Sequence, residues 1–286
     1  MMLRETLLKV GIATAASAIA AVSALAEPVN DELVIDGAKM VTQAKAPEGH
    51  PFDEVLSGWL FRTEETRALE ADSFQNPGML YVERGEQIWN TVEGTAGKSC
   101  ASCHNDAAES MKGVAAAYPK WDADAERPMN IEVRINKCRA EGMGAEPYKF
   151  DAKEQKALTT FMRHQSLGVP VAVDLTKGQM QSWWNRGKDM YYTRTGQLNL
   201  SCASCHEQNN GKYIRADHLS QGNVNGFPTY RLKNADMVSL HSRFRGCIRD
   251  TRAEQPAALS DELMALEVYT TWRGTGLSVE TPAVRQ

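Results

Sequence analysis

The sequence contains no basic tract, and beyond its first residues it has no apolar run long enough to cross a membrane. Its 286 residues include 36 Asp and Glu against 32 Lys and Arg, for a formal net charge of −4. The lack of a basic tract argues against a nucleic-acid partner, and the lack of long apolar runs argues against a membrane span. Cysteine is also scarce, with six residues in the chain. The placement of these cysteines is the most informative feature of the sequence.

The N-terminus has the pattern of a secretory signal. Arg4 and Lys9 precede an apolar, alanine-rich run over residues 10–22, which is followed by Ala24-Leu25-Ala26. This arrangement predicts a signal peptide over residues 1–26, and the apolar run is too short to span a bilayer. A membrane anchor that stays attached is the alternative. We therefore expect the protein to be exported to a bacterial periplasm.

Four of the six cysteines lie in two copies of Ser-Cys-Ala-Ser-Cys-His, at residues 99–104 and 201–206. Each copy contains C-x-x-C-H, the attachment motif of c-type haem. The two thiols form thioethers with the porphyrin, and the adjoining His ligates the iron. The motifs predict two covalently bound haem c groups, held by Cys100, Cys103, Cys202 and Cys205, with His104 and His206 as iron ligands. A pair of disulfides, or a zinc site built from both motifs, is the alternative.

The chain also repeats itself around these motifs. Residues 84–91 align with residues 186–193, at the same spacing of 102 that separates the two motifs. Each repeat predicts an opening amphipathic helix that carries a Gly, Gly85 or Gly187, and a closing helix with an apolar stripe. Asp151 is the expected N-cap of the first closing helix, and Ser260 that of the second, which we expect to end at Gly274.

An opening helix with Gly, a C-x-x-C-H motif and a closing aromatic helix resemble a class I cytochrome c domain. We therefore expect a mainly α fold with two tandem class I cytochrome c-like domains related by an internal repeat, preceded by an N-terminal extension. The predicted segments are the signal peptide (1–26), the extension (27–78), the first domain with haem 1 (79–170) and the second domain with haem 2 and the active site (171–286). We expect the extension to pack on the first domain, unless it is a partner-binding arm, and the linker to lie near residues 167–176.

Each repeat needs a second axial ligand for its iron, and the two remaining cysteines are the candidates. Cys138 and Cys247 occur once per repeat, and each follows an Arg by four residues, Arg134 and Arg243. We favour His/Cys ligation at both haems, which lowers the redox potential because an anionic ligand stabilises ferric iron. A Cys138–Cys247 disulfide, or Met or bis-His ligation, is the alternative. The other candidate ligands are Met111, Met129, Met143, His218, Met237 and His241.

A periplasmic di-haem protein with one extra Cys per domain resembles the SoxA family, the larger subunits of the SoxAX cytochromes of bacterial thiosulfate oxidation. The stretch from Thr66 through Asn76-Pro77-Gly78 to Glu86 is similar to the family's lead-in to the first haem. The pattern Arg243-x-x-x-Cys247 matches the family's active site. The resemblance covers essentially the whole mature chain.

The resemblance implies an L-cysteine S-thiosulfotransferase, which conjugates thiosulfate oxidatively to a Cys of the SoxYZ carrier while electrons leave through haem. It implies that Cys247 is the catalytic sulfur, modified to a persulfide and still a ligand of haem 2. It also implies that Arg243 binds the substrate, whereas Cys138 is an ordinary axial ligand. The implied partners are a SoxX-like mono-haem subunit, SoxYZ, thiosulfate and a small cytochrome c that accepts electrons.

The residues around Cys247 are compatible with this chemistry. Thiosulfate is a small dianion, and the guanidinium groups suit it because their planar donors bind oxyanions in a fork. However, Arg134 occupies the matching place in the first repeat, and arginines near haem also neutralise propionates. The arginines close to Cys247 in the chain are Arg243, Arg245, Arg249 and Arg252. A thiosulfate dehydrogenase that forms tetrathionate and a non-catalytic di-haem electron carrier are the alternative functions.

Overall fold

The structure is a computed structural model, and it describes residues 32–286. The predicted signal peptide therefore lies outside the described residues. None of the helices within 32–286 is both long enough and apolar enough to cross a membrane. The described residues belong to one compact unit.

The fold is mainly α, with short strands between the helices. The helices are α1 (Glu64–Ala71), α2 (Met79–Asn90), α3 (Ala101–His104), α4 (Ala107–Ser110), α5 (Ile131–Lys137), α6 (Lys153–His164), α7 (Met180–Tyr192), α8 (Cys202–His206), α9 (Leu240–Asp250) and α10 (Asp261–Arg273). The strands are β1 (Val34–Ile35), β2 (Ala38–Lys39), β3 (Gln43–Lys45), β4 (Glu54–Leu56), β5 (Lys120–Asp122), β6 (Arg127–Met129), β7 (Tyr213–Ile214), β8 (Asp217–His218), β9 (Thr229–Arg231), β10 (Asp236–Val238) and β11 (Ala283–Arg285).

The strands form four antiparallel pairs and one sheet of three strands. The pairs are β1–β2, β3–β4, β5–β6 and β7–β8. In the three-stranded sheet, β9 lies between antiparallel β10 and parallel β11. Tyr230 is the central residue of β9, and its partners are Met237 and Val284. The sheet thereby ties the C-terminal strand to the segment that precedes α9.

The two predicted opening helices cross the two closing helices closely, as the Gly positions predict. A Cβ at Gly85 of α2 would lie 2.3 Å from the carbonyl oxygen of Ala157 in α6. A Cβ at Gly187 of α7 would lie 2.0 Å from the carbonyl oxygen of Ala265 in α10. Neither position has room for a side chain, so Gly is required at both helix crossings. Each crossing belongs to a buried apolar cluster.

Corresponding features recur beyond the haem motifs at a spacing of 109. Cis peptide bonds precede Pro119 and Pro228. The N-caps Asn130 and Ser239 accept backbone N–H groups at the starts of α5 and α9. Cys138 follows its N-cap by eight residues, and Cys247 does the same. The change in spacing from 102 to 109 falls between the second haem motif and Pro228, where the β7–β8 hairpin lies.

Side chains of the two repeats are bonded to each other across the middle of the molecule. Lys156 of α6 donates to Asp236 of β10 (Nζ–Oδ2 2.6 Å). The amide of Asn130, the N-cap of α5, donates to Glu267 of α10 (Nδ2–Oε2 3.0 Å). These contacts are largely buried and join the closing helix of each repeat to the other repeat.

One of the expected helix caps is wrong. Asp151 does not cap α6, since the N-cap is Ala152 without a side-chain bond, and Asp151 instead adopts a left-handed backbone with φ 64°. The predicted linker near residues 167–176 is bonded to the C-terminal segment, since the backbone N–H groups of Gly168 and Val171 donate to the carbonyls of Val279 and Leu277 (3.0 and 2.9 Å). The expected caps Ser260 and Gly274 of α10 are confirmed.

The described part of the predicted extension does not pack mainly on the first repeat. The backbone of Leu56 bonds the side chains of Gln221 and Asn223 (2.8 and 2.9 Å), and Ser57 donates to buried Glu280 (2.7 Å). The prediction was wrong because hydrogen bonds between polar groups hold the extension against the second repeat. The pattern of apolar residues in the sequence does not reveal such bonds. The extension therefore contacts the second repeat near its haem motif.

Candidate active site

The second C-x-x-C-H motif forms the short helix α8, which is fixed by its own serines. The Ser201 hydroxyl accepts the backbone N–H of Ser204, and the Ser204 hydroxyl accepts the N–H of Ser201 (3.3 and 3.1 Å). This reciprocal capping box starts the helix at Cys202. Cys202 and His206 are four residues apart and so lie on one face of the helix.

His206 is held by main-chain contacts in the orientation of a metal ligand. Its Nδ1 lies 2.8 Å from the carbonyl oxygen of Ser220, which fixes Nδ1–H as the donor and leaves Nε2 as the free lone pair. Gly222 packs against the ring, since a Cβ there would lie 2.7 Å from the His206 Cγ. Burial lowers the pKa of His206 to about 4, so the ring is neutral, as metal ligation requires.

Helix α9 is anchored by apolar side chains and contributes both apolar and polar groups to one cavity wall, namely Phe244, Ile248, Arg243 and Cys247. Phe244 and Ile248, four residues apart, pack in the apolar cluster around Tyr269 of α10. Arg243 and Cys247, also four residues apart, border a cavity of about 300 Å³. The apolar anchor therefore fixes the direction in which Arg243 and Cys247 point.

The cavity brings together the second haem motif and the extra cysteine. Its wall includes Cys202, Cys205, His206, Arg243 and Cys247. Burial, followed by the neighbouring Cys247, raises the pKa of Cys202 to about 12. The same two causes raise the pKa of Cys205, while Arg243 lowers it. The two attachment thiols, Cys247 and Arg243 therefore border one space.

These groups fit a covalently attached haem. Two thiols and a neutral imidazole from one helix border the cavity, and Cys247 contributes a further sulfur to it. This donor set matches thioether attachment through Cys202 and Cys205, with His206 as the axial ligand. The six cysteines are free of disulfides, so the predicted alternative of a Cys138–Cys247 disulfide does not describe this structure. Residues 32–286 contain no group of three or more His, Cys, Asp and Glu side chains arranged for a metal ion, as the zinc alternative would need.

Comparisons with known proteins agree with this geometry. Residues 84–171 match a protein family described as "SoxA/TsdA, cytochrome c domain". The L-cysteine S-thiosulfotransferase subunit SoxA of Pseudaminobacter salicylatoxidans is 74% identical, over 94% of each chain. The subunit of that name from Rhodovulum sulfidophilum is 50% identical, over 90% of each chain. The chain belongs to the SoxA family.

A solved structure extends the comparison to three dimensions. The crystal structure of SoxXA from P. pantotrophus matches with a TM-score of 0.86 and 46% identity, covering 91% of this chain and 100% of that chain. The family membership predicted from the sequence is confirmed, and so are the cytochrome c domain and the enzyme class that the SoxA relatives carry in their names.

The first motif of this SoxA family member gathers a similar set of side chains. Cys138 begins a π-helical turn, Cys138–Met143, that continues α5. Burial, followed by the charge of the Cys138 thiolate, raises the pKa of Cys100 to about 11. The Trp89 ring packs against the ring of His104, with centroids 5.7 Å apart. The residues present therefore fit a haem at this motif as well.

The cations beside Cys138 are engaged by carboxylates. Lys137 pairs with Asp122 (Nζ–Oδ2 3.0 Å), and buried Arg139 pairs with Glu93 (Nη1–Oε2 2.6 Å). These contacts leave neither cation free to bind an anionic substrate. Cys138 therefore stays a predicted axial ligand of the iron that takes no part in substrate binding.

Of the arginines near Cys247 in the sequence, the structure brings one to the cavity. Within the described part of the chain, the cavity wall includes Arg243 but not Arg245, Arg249 or Arg252. Arg249 is exposed and pairs with Asp250 (Nη2–Oδ1 2.9 Å). The wall also contains three arginines that the sequence analysis missed, because they come from distant segments: Arg62, Arg231 and Arg285.

Proposed function

We propose that the chain is the di-haem cytochrome subunit of a periplasmic L-cysteine S-thiosulfotransferase, with thiosulfate and a Cys of the SoxYZ carrier as substrates. The observation that carries the proposal is the single cavity shared by Cys247, Arg243 and the second haem motif. A site for an anionic sulfur substrate needs a basic group, and Arg243 provides one in the same cavity wall as Cys247. The name of the SoxA relatives supports the same reaction.

The reaction joins the outer sulfur of thiosulfate to the carrier thiol. A carrier thiol and thiosulfate give a carrier S-thiosulfonate, one proton and two electrons, with one S–S bond formed and the carrier S–H bond lost. A haem held by Cys202, Cys205 and His206 would supply the electron acceptor for this oxidation, and a small cytochrome c is the proposed final acceptor. We propose that Cys247 is the catalytic sulfur, as a thiolate or persulfide that exchanges sulfur by displacement.

We propose that the protein holds two haem c groups with His/Cys ligation. The first is attached through Cys100 and Cys103, with His104 and Cys138 as ligands; the second is attached through Cys202 and Cys205, with His206 and Cys247 as ligands. The cavity wall shared by Cys202, Cys205, His206 and Cys247 supports the second assignment. The matched position of both cysteines, eight residues after an N-cap, supports it further.

The same correspondence supports two cytochrome c-like domains at residues 79–170 and 171–286, after an extension over 27–78. In this proposal each domain is built on one glycine crossing, at Gly85 and Gly187. The contacts of the extension with residues near the second haem motif suit a role in walling the active site.

Arg243 is proposed to bind the substrate. It lies one helical turn before Cys247, so its guanidinium and the sulfur border the same space. A bidentate donor at this place would hold the sulfonate oxygens of thiosulfate and leave the outer sulfur to face Cys247. Gly246, immediately before Cys247, has open space where a side chain would be, which suits the approach of a carrier thiol.

The proposed partners are a SoxX-like mono-haem subunit and the SoxYZ carrier. The structural match to SoxXA supports the first, and the thiosulfotransferase name of the relatives supports a cysteine acceptor. A periplasmic location is proposed from the C-x-x-C-H motifs and the sequence of residues 1–26.

The test is product analysis with the haem-loaded complex, thiosulfate and a cytochrome c acceptor, with and without SoxYZ. Mass spectrometry is expected to show a carrier Cys that gains the mass of a thiosulfate group, with cytochrome reduction that requires the carrier. Tetrathionate formed at the same rate without SoxYZ would contradict the proposal and indicate a thiosulfate dehydrogenase. Absence of both products would indicate an electron carrier.

A further inference from the structure

The two helices that lead to the extra cysteines both start against one buried side chain. Helix α5 runs into the turn that begins at Cys138, and α9 contains Cys247. Glu267 lies in the middle of α10 and is 7% exposed. One of its carboxylate oxygens, Oε2, contacts a side chain at the start of each of these two helices.

The contact with α5 is made by the N-cap of that helix. Asn130 is buried, and its Oδ1 accepts the backbone N–H of Val133 (3.0 Å). The Nδ2 of the same side chain donates to Glu267 Oε2 (3.0 Å). An N-cap fixes the position of the first helical turn. The bond to Glu267 therefore fixes the start of α5 against α10.

The contact with α9 is made by the second residue of that helix. His241 is 2% exposed, and its Nδ1 lies 3.0 Å from the backbone nitrogen of Leu259, which donates to it. The neutral ring then carries its proton on Nε2. Nε2 lies 2.9 Å from Glu267 Oε2, although its N–H is not aligned for a hydrogen bond in this conformation. Because both side chains are buried, this polar contact is not weakened by water.

Glu267 has no equivalent in the first repeat. The glycine crossings align Ala265 of α10 with Ala157 of α6, so the counterpart of Glu267 is Thr159. Thr159 is 1% exposed, and its hydroxyl has no hydrogen-bond partner among residues 32–286. The glycine crossing alone therefore does not require a carboxylate at this position. A buried carboxylate costs free energy unless it has partners, and the partners of Glu267 belong to the two cysteine-bearing segments.

We propose that Glu267 is a positioning residue shared by both sites, which sets where α5 and α9 begin and thereby where Cys138 and Cys247 stand. The inference rests on the proposed function, since it takes these two cysteines as the iron ligands. Cys138 lies about 12 Å along the helix from Asn130, and Cys247 lies about 9 Å from His241. A helix is rigid over such lengths, so a displaced start moves the sulfur at the other end.

The test compares variants of the haem-loaded complex by low-temperature EPR and by amide hydrogen exchange. Glu267→Ala should shift the g values of both thiolate-ligated haems. It should also speed exchange in the first turns of α5 and α9 about 10-fold, because each loses a buried contact. Asn130→Ser keeps a capping hydroxyl but loses the amide donor, so it should affect only α5 and the haem of Cys138. His241→Phe should affect only α9 and the other haem.

Two further variants separate positioning from a general loss of stability. Glu267→Gln keeps an acceptor oxygen and should give g values close to those of the wild type. Glu262→Gln removes an exposed carboxylate from the first turn of the same helix. It is the matched control, and it should leave the g values and the exchange of α5 and α9 unchanged.

Wild-type g values in Glu267→Ala, with full haem content, would overturn the proposal, even if the Tm were lower. If Glu267→Ala does not load haem, Asn130→Ser and His241→Phe decide, and wild-type g values in both would overturn it. Failure of the proposed function would look different. The wild type would then form no carrier conjugate, whereas the comparison among the variants uses no turnover and would still give its result.

Discussion

Arg243 and Cys247 lie one helical turn apart on α9 and border the same cavity, while Phe244 and Ile248 on the adjacent face fix the helix against α10. The distance between the arginine and the sulfur is therefore set by the helix, and the direction of both is set by the apolar anchor. A loop could not hold the two groups in register in this way. The placement of Arg243 relative to Cys247 is in this sense a property of a single helix.

Replacing Arg243 with Ala is expected to raise the KM for thiosulfate about 10–100-fold, because a charge-assisted contact to the substrate is lost. The KM for SoxYZ should change little. The measurement is steady-state kinetics with each substrate varied in turn. Arg134→Ala, the exposed counterpart in the first repeat, is the control. An unchanged thiosulfate KM in Arg243→Ala would assign that side chain a structural role.

Replacing Gly187 with Ala is expected to destabilise the second helix crossing. The new Cβ would meet the carbonyl oxygen of Ala265 at 2.0 Å and the Cβ of Tyr269 at 2.8 Å, and backbone cannot yield as a flexible side chain can. Overpacking of this kind costs about 1–3 kcal/mol, or a Tm lower by several degrees. Gly142→Ala, with nothing within 4 Å of the added atom, is the control in a thermal unfolding experiment. Equal Tm values for the two variants would refute the close crossing.

The pH dependence of stability should report on Glu132, a half-buried carboxyl between the two repeats. Burial, followed by the charge of Glu267, raises the pKa of Glu132 to about 7, while His241 and Arg163 act in the opposite direction. The folded protein therefore holds this proton up to about pH 7, whereas the unfolded chain releases it near the ordinary pKa of 4.5. Stability from this group is lost as the pH rises through that window.

Glu132→Gln removes this titration. Relative to the wild type, the variant should gain about 1–2 kcal/mol of unfolding free energy between pH 5 and pH 8. Urea unfolding across this pH range measures it, with Glu86→Gln on the exposed face of α2 as the control. A difference between Glu132→Gln and the wild type that does not change with pH would show that Glu132 stays ionised when folded.

The parts of the fold predicted from the sequence are those encoded locally. The helices that cross at Gly85 and Gly187 could be predicted from their amphipathic periodicity. The caps Ser260 and Gly274 of α10 could be predicted from the residues beside them in the chain. Asp151 failed as a cap because its side chain is drawn into a bond with Ser242 of the other repeat. Local propensity cannot anticipate a competing partner of this kind.

The candidate site was predictable where it lies on one helix and not where distant segments meet. Cys247 and Arg243 are four residues apart, so the sequence alone suggested that they share a face. Arg231 belongs to β9, and its position beside them depends on the sheet formed with β10 and β11.

The central claim is that the sulfur of Cys247 is the axial ligand and reaction centre of the second haem. The most direct test is low-temperature EPR of the oxidised, haem-loaded complex, with Cys247→Met and Cys138→Met compared with the wild type. We predict that the wild-type subunit gives two EPR signals from thiolate-ligated ferric haem. Cys247→Met should remove one signal and abolish conjugation of thiosulfate to the carrier. Cys138→Met should remove the other signal. An unchanged spectrum and full turnover in Cys247→Met would contradict the account.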